Sequence, residues 1–511
     1  MTYTPYPLVD FGGGLNLQAK ADAVGPGESI DLLNVTFTDR GAVEQRAGYA
    51  DLNATALTNA PESLEAFYKT SGTKQILAGC GTRLEAVATD GTTVASATGL
   101  TTGIWDFARF GTPNSEVAYA GNGQNLLRKW DGTAWSSIAN SPKAGALAVT
   151  PTSNRLVTTR FLTTTGGPSA GTSSPSHVYF SDAGDPETFG ANNYVQLTPG
   201  DGEQIQAAMR WREYLFVFKE SKFFVFAGEG TDSSGNPVFD YRPVDTGVGM
   251  VGPRAYCVTE QGIYFANRRG VFLTTGAEPV KVSDPVEPIF LGGSDVYFTG
   301  GELAPAQAAN LAMGSFEDRV FISYATSSAN DRTLVYDYEK GWWSLWDFPA
   351  VALATFRPSS ADELIFAHGS YIARHNDSYT NDAGTAISSR YRTGFTDFAV
   401  PENKAVRQVK LWGSGKCFSA MSADYAVDPG RLVAHDFTTA AATEWDTSTW
   451  GGGDWSVLRN LNPKIRRSAL RGTVFSIGFT NSILDQPWSI HRAEPHIRGI
   501  RQPTVRKTED R

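Results

Sequence analysis

The sequence predicts an all-β protein, a β-propeller of four-stranded blades followed by a C-terminal β-sandwich. Helical periodicity is almost absent from the 511 residues, because few windows of about 12 residues lack Gly, Pro or a Thr/Ser/Asn cluster. Glycine is abundant at 52 residues, and aromatic residues reach 12% of the chain. Short apolar runs separated by polar or glycine turns recur in groups of four, as radially packed blades require.

The first 60 residues contain few strong strand patterns before Val43. We interpret residues 1–60 as an N-terminal arm that leads into the propeller through Arg46 and Tyr49 and supplies a closing strand. Its glycines would let the backbone lie close against another surface, either of the same subunit or of a neighbour. The arm residues predicted to make assembly contacts are Phe11, Gly12, Gly13 and Gly14.

Residues 61–392 are assigned to the propeller. The clearest hairpin is residues 214–226, two aromatic and β-branched runs around Lys-Glu-Ser-Lys. Both faces of each run are apolar, which places these strands between stacked sheets rather than on a one-sided surface sheet. At roughly 50 residues per blade the segment holds six or seven blades, and we favour six.

Longer alternating strands, such as the one with Phe475, Ile477 and Phe479, follow from residue 393 and predict a β-sandwich over residues 393–490. A Trp- and Gly-rich loop at residues 444–455 either packs on the sandwich or forms a contact or glycan-stacking surface. Residues 491–511 are interpreted as a basic tail that either meets an acidic neighbour or is solvated. Its predicted contacts are Arg498, Arg501, Arg506 and Lys507.

The charge balance argues against a general nucleic-acid binder. Lys and Arg total 44 against 53 Asp and Glu, a net charge of −9, whereas nucleic-acid binding needs clustered cations. Cys80, Cys257 and Cys417 lie too far apart in the sequence for a metal motif or a disulfide framework. The N-terminus lacks the pattern of a secretory signal, and charges interrupt the longest apolar stretch, so we expect cytoplasmic synthesis without membrane insertion.

Motifs for catalysis and ligand binding are weak throughout. Residues 247–252 match GxGxxG, but Pro253 and an alternating strand follow instead of a helix. Residues 375–384 look like a calcium loop, except that Tyr379 stands where an oxygen ligand is required. Residues 181–189 have the composition of a sialidase box but the wrong spacing. We therefore predict no catalytic residues, no metal and no cofactor.

Six segments of the sequence resemble, in order, the tail nozzle proteins of short-tailed bacteriophages, also called tail tubular or head-to-tail stabilisation proteins. The first is Asp-Phe-Gly-Gly-Gly-Leu-Asn at residues 10–16, and the likeness extends over nearly the whole chain. The other segments are residues 27–35, 40–49, 181–189, 336–347 and 392–398.

The resemblance implies a non-enzymatic virion protein, assembled in the host bacterial cytoplasm as a homohexameric ring of propeller subunits. Such a ring extends the head-to-tail channel below a portal-side adaptor, carries tail fibres or tailspikes, retains packaged DNA and passes it during ejection. Related propellers occur among minor tail proteins, so a tail-tip protein that binds or cleaves host-surface glycans is the alternative. The acidic composition suits a wall past which viral double-stranded DNA moves without specific binding.

Overall fold

The N-terminal segment forms short strands that join two different parts of the fold. A computed structural model describes residues 3–101, 103–111, 115–231, 237–399, 402–415, 422–427, 437–438, 459–461 and 471–499. The first six strands are β1 (Thr4–Pro5), β2 (Gly14–Leu15), β3 (Glu28–Leu33), β4 (Val35–Phe37), β5 (Val43–Gln45) and β6 (Tyr49–Asp51).

Four blades follow along the chain, each an antiparallel sheet in which successive strands are neighbours. Blade 1 contains β7 (Ser63–Tyr68), β8 (Lys74–Cys80), β9 (Arg83–Ala88) and β10 (Thr93–Ala97). Blade 2 contains β11 (Asp106–Phe110), β12 (Val117–Gly121), β13 (Arg128–Trp130) and β14 (Trp135–Ser137). Blade 3 contains β15 (Ala144–Val149), β16 (Leu156–Phe161), β17 (His177–Phe180) and β18 (Tyr194–Gln196). Blade 4 contains β19 (Ala207–Trp211), β20 (Tyr214–Phe218), β21 (Lys222–Thr231) and β22 (Pro237–Asp245).

Three more blades complete the ring. Blade 5 contains β23 (Tyr256–Val258), β24 (Ile263–Asn267), β25 (Gly270–Thr274) and β26 (Val280–Lys281). Blade 6 contains β27 (Ala312–Phe316), β28 (Arg319–Ala325), β29 (Asn330–Asp337) and β30 (Trp343–Trp346). Blade 7 contains β31 (Ala352–Phe356), β32 (Glu363–His368), β33 (Tyr371–His375) and, as its outer strand, β6.

The fold is therefore an all-β propeller, and the described residues contain seven blades rather than the favoured six. The first strand of each blade lines a central channel, and β31 lies against β7 to close the ring. The preference for six assumed about 50 residues per blade. Blades 1 and 2 are shorter than this average, so the segment holds one blade more. The predicted hairpin at residues 214–226 is confirmed, with Phe216 paired to Val225 across β20 and β21.

The closing strand β6 fastens the beginning of the chain to blade 7. Tyr49 pairs with His375, and Asp51 pairs with Ala373 on β33. His375 is buried, and its Nδ1 lies 2.7 Å from the carbonyl oxygen of Gly48. Burial lowers the pKa of His375 to about 4, so the ring stays neutral beside the closing strand.

A connection between blades 5 and 6 packs on the second part of the molecule. It contains 3₁₀ turns at Asp284–Val286 and Pro305–Asn310 and a single-turn helix α1 (Glu287–Leu291). The ring of Tyr297 lies 5.0 Å from that of Phe395. A further 3₁₀ turn occupies Pro168–Ala170 within blade 3. No helix in the described ranges is long and apolar enough to cross a membrane.

The remaining strands form two sheets together with the N-terminal segment. The C-terminal strands are β34 (Ser389–Thr393), β35 (Lys404–Gly415), β36 (Ser422–Val427), β37 (Phe437–Thr438), β38 (Arg459–Leu461), β39 (Arg471–Gly472), β40 (Phe475–Asn481) and β41 (Trp488–Gly499). One sheet has the order β38-β35-β41-β5-β4, with β1 paired to β41 and β39 paired to β35. The other sheet has the order β2-β3-β34-β40-β36-β37.

This arrangement differs from the predicted boundaries in two respects. Residues 1–60 are not only an arm, because β1 to β5 belong to the sandwich sheets that were expected from residues 393–490 alone. Nor does the basic tail begin at residue 491, since β41 continues to Gly499 with Ala493 and Ile497 buried. In both places the alternating pattern of a strand is obscured in the sequence, because the strands are short or contain charged residues. Pairing with a distant strand stabilises them in the fold.

One hydrophobic cluster runs from the sandwich into blades 4 to 7. It includes Leu33 and Phe479 from the sandwich sheets, Trp343 from blade 6 and Phe265 from blade 5. Because apolar side chains of both parts share this core, separating them would expose a large apolar surface. The propeller and the sandwich are thus held together by a continuous core.

Gly48 provides a test of the closing strand. A Cβ at this position would overlap the carbonyl oxygen of Asn381, so Gly48→Ala must displace the start of β6. We expect a loss of about 1–3 kcal/mol in the free energy of unfolding, measured by urea denaturation. Gly228→Ala is the matched control, since the nearest atom to its Cβ, in Asp240, is 4.0 Å away. Equal stability of the two variants would contradict a closely packed closure.

Candidate functional site

The junction between the sandwich and the propeller centres on a buried arginine. The Arg46 side chain is fully buried, and its Nη2 lies 2.7 Å from Oδ1 of Asp347 and 2.7 Å from Oδ2 of Asp382. Its Nη1 donates to Oδ1 of Asp382 at 2.8 Å. Burial lowers the pKa of the Arg46 guanidinium, but hydrogen bonds and charge from Asp382 and Asp347 outweigh that effect and raise it. The cation is therefore fully paired.

Asn34 connects this arginine to two further segments. It lies between β3 and β4 in the left-handed conformation, with φ of 56°. Its Oδ1 accepts hydrogen bonds from Nε of Arg46 at 2.8 Å and from the backbone N–H of Asp347 at 3.0 Å. Its Nδ2 donates to the carbonyl of Ser388, and its own N–H donates to the carbonyl of Leu345, both at 2.8 Å. One side chain thus ties sandwich strands to blade 6.

Aromatic rings cover the same junction. The guanidinium carbon of Arg46 lies 4.3 Å from the ring centroid of Phe348 and 5.8 Å from that of Trp346, which is cation–π geometry. Trp346 also donates its indole N–H to the carbonyl of Val35 at 3.0 Å. These contacts bury the guanidinium, while the Asp347 side chain keeps 31% of its surface exposed.

The predicted glycine-rich contacts lie against the chain itself. Gly14 has φ of +76°, and a Cβ there would come within 2.7 Å of the Trp343 backbone nitrogen, so only glycine fits. Phe11 is 1% exposed, and its ring meets those of Tyr391 and Phe479 at 5.7 and 6.4 Å. Phe11 and Gly14 therefore pack within the chain itself, and the buried Phe11 side chain is not open to contact with another chain.

The other predicted contacts are more peripheral. Gly12 is half-buried with its N–H donated to Oδ1 of Asp10, and Gly13 is exposed. Arg498 is half-buried near the end of β41, 5.4 Å from the ring of Tyr3. Several predicted residues lie outside the described residues, namely Arg501, Arg506, Lys507 and the tryptophan loop at residues 444–455.

Five of the six segments that carry the family resemblance meet at this junction. Phe11, Asn34 and Arg46 come from three of them, and their contacts described above reach residues 336–347 and the strand that contains Arg392. The sixth segment, residues 181–189, lies in blade 3 between β17 and β18. Asp382, which stood in the loop that looks like a calcium site, is instead engaged by Arg46. These five segments thus form a structural joint between the propeller and the sandwich.

A second site is the central channel, which contains two adjoining cavities of about 370 and 650 Å³. Two ionisable groups there lie on the first strands of blades 1 and 2. Oε1 of Glu65 lies 3.0 Å from Nε of Arg109, and Glu65 keeps 29% of its side-chain surface exposed. Burial raises the pKa of Glu65 despite the charge of Arg109.

Asp106 stands beside this pair and links blade 2 to blade 3. Its Oδ2 accepts the backbone N–H of Leu147 at 2.7 Å. Burial raises the pKa of Asp106 to about 7, although backbone hydrogen bonds from Leu147 and Phe107 act in the opposite direction. At neutral pH this carboxyl group is close to its titration midpoint.

Two side chains from blade 5 extend toward the opposite side of the channel. Arg254 donates from Nη1 to the carbonyl of Glu62 at 2.6 Å, although β23 and β7 are not adjacent around the ring. Burial, with the nearby charges of Asp106 and Glu65, raises the pKa of Tyr256. Cys257 is buried beside them, and burial raises the pKa of its thiol, so it stays protonated. These side chains subdivide the channel.

No sequence motif marks Glu65, Asp106 or Arg109 as residues of a site. Each lies in an otherwise apolar first strand of a four-strand group, and that position is the signal that could have identified them. Among the described residues, no group of three or more His, Cys, Asp or Glu side chains is placed to hold a metal ion.

Comparisons with known proteins give little beyond the fold. No protein-family model matches the chain, and no curated protein gives a significant match. Among solved structures it is similar to BBS1N in complex with ARL6DN, soaked with lead, at 9% identity and a TM-score of 0.41, covering 65% of this chain and 97% of that one. The same complex soaked with mercury gives 10% identity, a TM-score of 0.40, and coverage of 65% and 98%. The fold assignment rests on the strand pairing described above.

Arg46→Met tests the junction. Replacing the guanidinium by an apolar side chain leaves Asp347 and Asp382 without their buried cation, and we expect a loss of about 3–5 kcal/mol in the free energy of unfolding by urea denaturation. Arg357→Met is the control, because Arg357 pairs with Asp362 at the surface with 57% of its side chain exposed. That variant should lose at most about 1 kcal/mol. Similar losses in both would mean that Arg46 acts as a surface charge.

Asp106→Asn tests the titration in the channel. Because the pKa of Asp106 is about 7 in the folded chain and about 3.9 when unfolded, the folded state binds more protons, and ionisation costs stability as pH rises between these values. The amide stays neutral, so the Tm advantage of D106N over the wild type should grow by about 2 °C or more from pH 4 to pH 8.

The control for this measurement is Asp284→Asn, a carboxylate with 60% of its side chain exposed. Its Tm difference from the wild type should not grow in favour of the variant over the same range. A difference for D106N that stays constant with pH would show that Asp106 ionises equally well in both states.

Proposed function

We propose that this chain is a structural virion protein, a subunit of the nozzle of a bacteriophage tail. The proposal rests on the family resemblance, and one structural observation supports it: five of the six resembling segments meet where the propeller joins the sandwich. A protein that extends a channel under load needs a fixed orientation between its parts. The buried Arg46 network and the shared core supply that rigidity.

The path of DNA follows from the size of the propeller channel. Its two adjoining cavities of about 370 and 650 Å³, the first crossed by Arg254, have the volumes of small-ligand pockets and are too small for a duplex. In the proposed nozzle, DNA therefore passes between the subunits of a homohexameric ring. The net charge of −9 suits a lumen wall that does not grip phosphates.

The basic residues near the end of the sequence are the proposed attachment to a neighbouring tail protein, such as the adaptor. Arg498 lies at the end of β41, beside the N-terminal Tyr3. Cations on an otherwise acidic protein would steer association with an acidic partner. The proposed role is non-enzymatic, with the chain carrying fibres or tailspikes and retaining DNA until ejection.

Locating the chain in intact phage particles by cryo-electron microscopy tests the assignment. We expect six copies in a ring between the head-proximal adaptor and the end of the tail. Three-fold or single-copy placement at the tail tip would replace the nozzle assignment by the glycan-binding alternative. Position and symmetry are both read from one reconstruction.

Substitution of the basic cluster tests the attachment. Changing Arg498, Arg501, Arg506 and Lys507 to Ser should leave a folded protein that is absent from purified particles, which then lose their DNA. The matched control changes four other cations, the exposed residues Lys20, Arg212, Arg268 and Arg269. Normal incorporation of the first variant would remove the attachment role. Deleting residues 2–20 is unsuitable, because it removes β1, β2 and the buried Phe11.

A further inference from the structure

The channel cavity is built like a binding pocket for a small polar molecule. Its volume of about 370 Å³ falls in the range of small-ligand sites. Side chains with strong hydrogen-bonding groups converge on it from three blades, and two aromatic rings also line it. These residues are Glu65, Asp106, Arg109, Arg254, Phe107 and Tyr256.

The cavity is lined by both acids and bases. Glu65 is paired with Arg109 at 3.0 Å, and Asp106 is hydrogen-bonded to a backbone N–H while Arg160 lies close enough to act on it electrostatically. Arg254 is held by the carbonyl of Glu62. A ligand in this cavity therefore meets hydrogen-bond acceptors as well as donors.

The polar groups nevertheless keep unused hydrogen-bonding capacity. A carboxylate has about four acceptor positions and a guanidinium five N–H donors, so Glu65, Asp106, Arg109 and Arg254 can each bond to a ligand while keeping their present partners. Covering them with an apolar molecule would cost their hydration without replacement bonds. A ligand must therefore offer several donors and acceptors at once.

We propose that the propeller channel binds a neutral polyhydroxylated molecule of the size of one or two sugar rings. Its hydroxyl groups donate to Glu65 and Asp106 and accept from Arg109 and Arg254. The rings of Phe107 and Tyr256 cover its apolar C–H faces. This activity is separate from the nozzle role, and either can fail without the other.

The first experiment measures binding to the full-length chain by saturation-transfer NMR and calorimetry. The neutral probes are glucose, galactose, mannose, N-acetylglucosamine and maltose, and the charged probes are putrescine and inorganic phosphate. We expect saturable binding of at least one neutral sugar with a Kd of about 1 mM or tighter, and weaker binding of the charged probes. Binding of only putrescine or phosphate, or of none of the probes, would overturn the proposal.

The second experiment places the bound sugar in the channel. Glu65→Gln removes a charge at unchanged size, Arg109→Gln replaces the guanidinium by a shorter amide, and each should weaken binding by about 3- to 10-fold. Lys129→Gln is the control. Lys129 lies on the third strand of blade 2, where it pairs with Glu187, and it does not line the cavity. Thermal unfolding verifies that all three variants fold. Unchanged affinity in both channel variants would place the sugar elsewhere and overturn the assignment.

Discussion

The buried guanidinium of Arg46 is the interaction on which the rest of the structure depends. A cation without solvent contact is tolerated only when carboxylates and hydrogen-bond acceptors surround it. Its carboxylate partners, Asp347 and Asp382, lie 301 and 336 residues along the chain. The charge of one side chain therefore requires that the N-terminal strands, blade 6 and the loop after blade 7 come together. The sandwich sheets and the propeller closure are both anchored to that meeting point.

Much of the fold was predictable because it depends on local patterns of apolar residues and turns. The hairpin at residues 214–226 has two doubly apolar runs, and β20 and β21 have that burial in the structure. The blade number was not predictable from length, because blades 1 and 2 are shorter than the average of roughly 50 residues. The sandwich was predicted only in part, because its N-terminal strands are short. Strands of two to six residues such as β1 and β3 gain their stability from partners hundreds of residues away.

The candidate sites were less accessible to sequence analysis. Arg46 was recognised only as part of the segment that enters the propeller, since nothing in its neighbours reveals that two distant carboxylates will enclose it. Glu65 and Asp106 stand in strands whose sequence could equally face solvent. Which face of a first strand lines the channel is decided by the closure of the ring. Phe11 shows the opposite error, because an aromatic residue in a glycine-rich segment suggested an external contact and is instead buried.

The pairing of β6 with β33 also sets an order of events during synthesis. The segment Tyr49–Asp51 leaves the ribosome early, but its partner Tyr371–His375 is made more than 300 residues later. At translation rates of about 5–20 residues per second, β6 waits roughly 15–65 seconds for its partner in blade 7. During that interval its backbone groups lack the strand with which they pair in the folded chain, and an unpaired strand is open to mispairing. Closure of the ring therefore has to follow the synthesis of β33.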